Sequence, residues 1–125
     1  MKKIAFILSF ILISLFSISN AQTSGPNASA TARQFGYYVA YGDAMKSSHS
    51  VVPETDMSAY VDQKHSEIEE LGGLAKIVIG NEEVVNENTV KVSLIFVCKK
   101  EDATVKETYT LLKENGTWKI AADKL

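Results

Sequence analysis

The apolar pattern of this chain changes period once, at Gly72-Gly73, and that change constrains the fold more than any other feature. Before the glycine pair, apolar residues recur at helical spacing; after it, they alternate with polar ones. Ala28, Ala32, Phe35 and Val39 stand at i, i+4, i+7 and i+11, which predicts a helix through "SATARQFGYYVAY". Gly42 ends it, and Asp43 is placed to cap a short further turn, "AMKSS". "HSVVPE" reads as a connector, because Pro53 biases Val52 away from helix. The next helix is "TDMSAYVDQKHSEIEEL", with Thr55 as expected N-cap and Asp56 in its first turn. Its apolar stripe is Met57, Tyr60, Val61, Ile68 and Leu71; Asp62, Gln63, Ser66, Glu69 and Glu70 form its wet side.

From Leu74 onward, four β-rich runs follow: "LAKIVIGNEEVV", "TVKVSLIFVCK", "ATVKETYTLLK" and "TWKIA". The first is expected to bend or break at Gly80-Asn81. Short Asn, Asp or Gly turns join the runs, so the sheet should be an antiparallel meander. Helices first and a meander afterwards predict an α+β domain, with N-terminal helices packed on one face of a curved four-stranded sheet. Trp118 and Ile120 share a face of the last strand, and Trp118 is expected to anchor that strand in the core. A two-residue Asn115-Gly116 turn would put Leu111 on that face, whereas a three-residue loop would put Leu112 there.

The first residues, "MKKIAFILSFILISLFSISNAQ", combine two lysines, an apolar run from Ile4 to Ile18 and small residues at Ser19 and Ala21. This is the pattern of a secretory signal peptide over residues 1–21, cut near Ala21-Gln22, and it predicts a periplasmic or secreted protein. Residues 22–28 read as a flexible lead-in and 29–125 as one domain, with no membrane span in the mature chain. Without Lys2 and Lys3 the net charge falls from −2 to about −4, and no basic cluster is interleaved with aromatics. Nucleic acid is therefore a poor partner. Cys98 is the one cysteine, so it forms no disulfide within the chain and is expected to be buried.

Gly42-Asp43 after the first helix, Gly72-Gly73-Leu74 at the helix-to-sheet junction, and Gly116-x-Trp118-Lys119-Ile120 at the end carry a resemblance. Together with the element order they resemble the nuclear transport factor 2-like, cystatin-like α+β cone. More narrowly, they are similar to a secreted bacterial lumazine-binding-like branch. The resemblance implies an α+β cone whose outer sheet face is often covered by a second subunit's sheet. It implies no single activity, since this fold hosts isomerases, dehydratases, transport factors and interaction domains.

Enzymes of this fold hold an acid or histidine in an apolar cavity, and the strands offer little of that kind. Glu107 interrupts the face carrying Val105, Tyr109 and Leu111, and is expected to be outward and wet. Lys64 falls inside the stripe of the second helix, where a lysine usually snorkels. The alternative is a buried Lys64–Glu107 pair lining a pocket, which would serve a small enzyme. His65 reads as part of a solvated helix face and His49 as lacking a local partner; neither suggests a metal site. No cofactor motif and no catalytic constellation is visible. Tyr37 and Tyr41 lie on the supposedly wet side of the first helix and suggest an interface. Ile95 and Val97 make the second strand apolar on both faces and so need a cover, and the resemblance implies that a second subunit supplies it, a homodimer through these two residues.

The leading expectation is a non-catalytic module binding a small apolar or aromatic ligand, lined by Tyr60, Lys64, Phe96, Glu107, Tyr109 and Trp118. The alternative is a protein-interaction or structural domain acting as a homodimer.

Overall fold

The computed structural model describes residues 27–125; the leader at 1–21 and most of the lead-in lie outside the described residues. Helix α1 (Ala28–Ala40) starts at Asn27, whose Oδ1 accepts the Ala30 N–H at 2.8 Å. It buries Ala28, Ala32, Phe35, Gly36, Val39 and Ala40, the face that the spacing predicts. Gly42 takes φ +78°, and Asp43 then caps α2 (Ala44–His49) through the Lys46 N–H.

Helix α3 (Ser58–Glu70) begins two residues later than Thr55 suggests, with Met57 at the cap position. The Thr55 hydroxyl instead donates to the Pro53 carbonyl. Met57 is buried, and its N–H is held by Ser48 Oγ at 2.9 Å, so packing against α2 rather than a side-chain cap fixes where the helix starts. Gly72 and Gly73, both at φ +90°, turn the chain into the sheet, and the Gly73 N–H returns to the Ile68 carbonyl.

The sheet has five strands rather than four. β1 (Val51–Val52) lies parallel to β5 (Thr117–Ala121), at the edge of an antiparallel meander of β2 (Leu74–Asn86), β3 (Thr89–Cys98), β4 (Thr104–Glu114) and β5. Val51 is buried opposite Ile120, and the Ile120 N–H bonds the Ser50 carbonyl. Two residues before a proline are too short a run to read as a strand. β2 is continuous, but its register slips between Ile79 and Asn81, so Gly80 is a bulge rather than a break.

Asn115 and Gly116, both at positive φ, form a two-residue turn between Glu114 and Thr117. Leu111 then pairs with Ile120 and shares the inner face with Trp118, while Leu112 points outward. Ile120 is fully buried, but Trp118 is only half-buried. It lies opposite Lys113, one pair from the exposed turn, and the Lys113 ammonium stands 5.7 Å from its ring centroid. The core therefore ends before it.

α1 lies on the inner face of the sheet. A Cβ added at Gly36 would meet Leu94 Cδ1 at 2.9 Å, Ile77 Cδ1 at 3.1 Å and Phe96 Cζ at 3.3 Å, so this glycine sets how closely the helix approaches. No described helix is long and apolar enough to cross a membrane.

Candidate functional site

Helical spacing and strand alternation bring one polar cluster together. Tyr60, Lys64 and Glu67 stand at i, i+4 and i+7 on α3, and Glu107 and Tyr109 alternate on the inner face of β4. The Tyr60 and Tyr109 hydroxyls are 2.9 Å apart. The Lys64 ammonium donates to Glu107 Oε2 and lies 3.6 Å from Glu67 Oε1. Glu107 is thus not the outward, wet acid that its neighbours suggest. Val105, Glu107, Tyr109 and Leu111 all face inward, and Lys64 supplies the charge that makes Glu107 tolerable there.

Electrostatics follow from this geometry. Burial pushes the Tyr60 hydroxyl up to about 12, against the opposing effect of its bond to Tyr109. Burial likewise holds Tyr109 well above the ordinary tyrosine value. Burial works against the Lys64 charge, yet the hydrogen bond and charge of Glu107, with Glu67, more than offset it and raise its pKa. The cluster therefore sets two neutral phenols beside one ammonium shared between Glu107 and Glu67.

The space expected to receive a ligand is occupied. Phe96 and Tyr109 are each 1% exposed, and Phe35 meets Tyr109 edge-on at 5.1 Å between centroids. Of the six residues expected to line a pocket, Tyr60, Lys64, Glu107 and Tyr109 cluster and Phe96 is core. Trp118 stands apart, beside the last turn. His65, expected to be solvated, is half-buried and donates from Nδ1 to the Ala40 carbonyl at 2.7 Å, which fixes its tautomer and ties α3 to α1. His49 does find a partner, Glu54 at 2.6 Å, on the surface. Tyr37 and Tyr41 stack at 6.0 Å, with Tyr37 half-buried and Tyr41 66% exposed. Cys98 is fully buried; desolvation, then the charge of Glu67, pushes its thiol up.

Concavities lie elsewhere among the described residues. One of about 620 Å³ opens between α2, the connector and the start of α3, beside Met45, His49, Glu54 and Asp56. Another, about 310 Å³, lies at the Gly80 bulge, where outward-facing Ser93, Ile95, Lys106 and Thr108 surround it and Leu94 and Glu107 complete its lining. Of this second hollow, sequence offered only the glycine in a strand.

No protein-family model and no curated protein matches the sequence. Among solved structures, the chain is similar to a Campylobacter jejuni protein titled "Putative NTF2-like transpeptidase". The TM-score is 0.69 at 16% identity, over 77% of this chain and 98% of that one. Likeness at that identity speaks for fold, and the chain has the nuclear transport factor 2-like α+β fold.

Proposed function

We propose that this chain is an exported, non-catalytic binding domain that works through the outer face of its sheet rather than through the interior of its cone. The carrying observation is the filled interior: Phe35, Phe96 and Tyr109 occupy the volume that a ligand would need. The lumazine-binding-like likeness fits small exported cones, but a bicyclic heterocycle would have to displace those three rings. Beside them, Lys64 and Glu107 satisfy each other, so neither is poised to move a proton.

The transpeptidase name belongs to the Campylobacter protein, and the site described above does not match it. Acyl transfer through a protein nucleophile needs an accessible, activated group. Cys98 is buried with its thiol pushed up, and the Ser47 hydroxyl is buried too. The export half of the proposal rests on the leader pattern and is checked by N-terminal sequencing, with a start near Gln22 expected. Native mass spectrometry of the protein from its own host tests the rest. The expected mass is polypeptide alone; a retained small molecule that is lost on Tyr60→Phe or Tyr109→Phe would return the function to the interior.

A further inference from the structure

Strand register maps the outer face into rows. Lys76, Val97 and Thr104 lie side by side across β2, β3 and β4; the next row is Val78, Ile95 and Lys106. Beyond them come Asn81, Ser93 and Thr108, then Glu83, Lys91 and Thr110. Rows on one face are about 7 Å apart and strands just under 5 Å. Lys76, Lys91 and Lys106 are exposed, and among the described residues none of them makes an ion pair. One acid, Glu83, shares these rows, although the chain as a whole is acidic. The face therefore has an apolar centre, Val78, Ile95 and Val97, with Lys76 and Lys106 beside it and Lys91 two rows beyond.

The 310 Å³ hollow lies among Gly80 of β2, Ser93 and Ile95 of β3, and Lys106 and Thr108 of β4. Gly80 keeps it open, since a Cβ there would come within 3.3 Å of Ile95 Cδ1. Ser93 and Thr108 share one hydrogen bond at 3.0 Å, which leaves one of their two hydroxyl protons free to donate. An ammonium, a free hydroxyl donor and an apolar wall converge here. That combination suits a carboxylate carried on a short aliphatic stem.

Resting on the outer face as the working surface, we propose that it holds an acidic, extended polypeptide segment of a partner, with one carboxylate seated beside Lys106 at the Gly80 hollow. A small acid alone would leave Lys76 and Lys91 unused. A second copy laid face to face on this sheet would oppose lysines to lysines, which disfavours that occupant.

The test is fluorescence anisotropy with a labelled peptide of alternating Glu and Ser, titrated with the chain from Gln22 to Leu125. Binding should weaken with added salt. Lys106→Glu should weaken it roughly tenfold or more, while Lys46→Glu, on α2, leaves it unchanged. Gly80→Val, which fills the hollow, should also weaken it, with melting curves confirming the fold. Absent binding, or equal losses for Lys106→Glu and Lys46→Glu, overturns the proposal and leaves the outer-face reading standing. Free glutarate competing as well as the peptide, carboxylate for carboxylate, overturns the polypeptide occupant. So does a sedimentation dimer dissociated by Ile95→Lys, which installs a second copy instead. A ligand retained in the interior would sink the outer-face reading itself.

Discussion

The hydroxyl of Tyr60 on α3 stands 2.9 Å from that of Tyr109 on β4, joining the helix layer to the sheet where both rings are withdrawn from water. One phenol donates and the other accepts, so ionising either leaves a charge in a site arranged for neutral groups.

The first prediction concerns alkaline pH. Tyr60 is pushed up to about 12 and Tyr109 well above its ordinary value, so two of the five tyrosines should ionise late in a tyrosinate absorbance titration. Their unfolded-state pKa lies near 10, so above that pH the unfolded chain loses protons that the folded chain keeps. The stability from their neutral forms is full below about pH 10 and is lost as pH rises toward 12. Lys64, also raised, acts in the same direction. A single tyrosine transition at the ordinary position would contradict this.

The Lys64–Glu107 pair keeps some water, with side chains 18% and 24% exposed. Glu107→Gln or Lys64→Met should therefore cost about 1–2 kcal/mol, below the ~3–5 kcal/mol for breaking a fully buried pair. Lys64→Met with Glu107→Leu should recover most of that loss, with a coupling of about 2 kcal/mol or more in urea unfolding. Single variants as stable as the wild type would reduce the pair to a surface contact.

Trp118 is half-buried and Lys113 covers part of its ring. Trp118→Ala should cost about 1–2 kcal/mol, against the ~3–5 kcal/mol of a core aromatic. Its native emission should lie between buried and exposed positions. A fully blue-shifted spectrum would restore Trp118 to the core.

Cys98 should resist Ellman's reagent in the folded protein and react promptly on unfolding, because its thiol is both buried and pushed up. Prompt reaction in the native state would reopen the thiol as a nucleophile.

Much of the fold was legible because each element carries its own periodicity: Ala28, Ala32, Phe35 and Val39 on α1, and the alternation Val90 to Cys98 on β3. What was hidden depends on contacts between distant segments. β1 exists because Val51 meets Ile120, 69 residues downstream, and no local pattern in two valines before Pro53 announces it. Glu107 looked wet because pattern counts an acid as outward; only Lys64 arriving from α3 reverses that. The Gly80 hollow depends on a register slip, which alternation alone places only within a residue or two.

Gly36 gives the sharpest test of the packing. It lies on the buried face of α1, where helix propensity alone would favour almost any other residue by up to about 1 kcal/mol. Here, however, an added Cβ would lie 2.9 Å from Leu94 Cδ1, and Leu94 is itself fully buried between Gly36 and the sheet. Ile77 and Phe96 close the other sides at 3.1 and 3.3 Å, so the displaced methyl has no open space to enter. Gly36→Val adds two further carbons and should force α1 away from β2 and β3, at a cost of about 2 kcal/mol or more. In a domain of this size that lowers the melting temperature by roughly 10 °C. Leu94→Ala should give some of that stability back in the Gly36→Val background, because the smaller side chain leaves the room that valine needs. Destabilisation that Leu94→Ala only worsens, additively with its own cost, would mean that the helix approach is not set at Gly36.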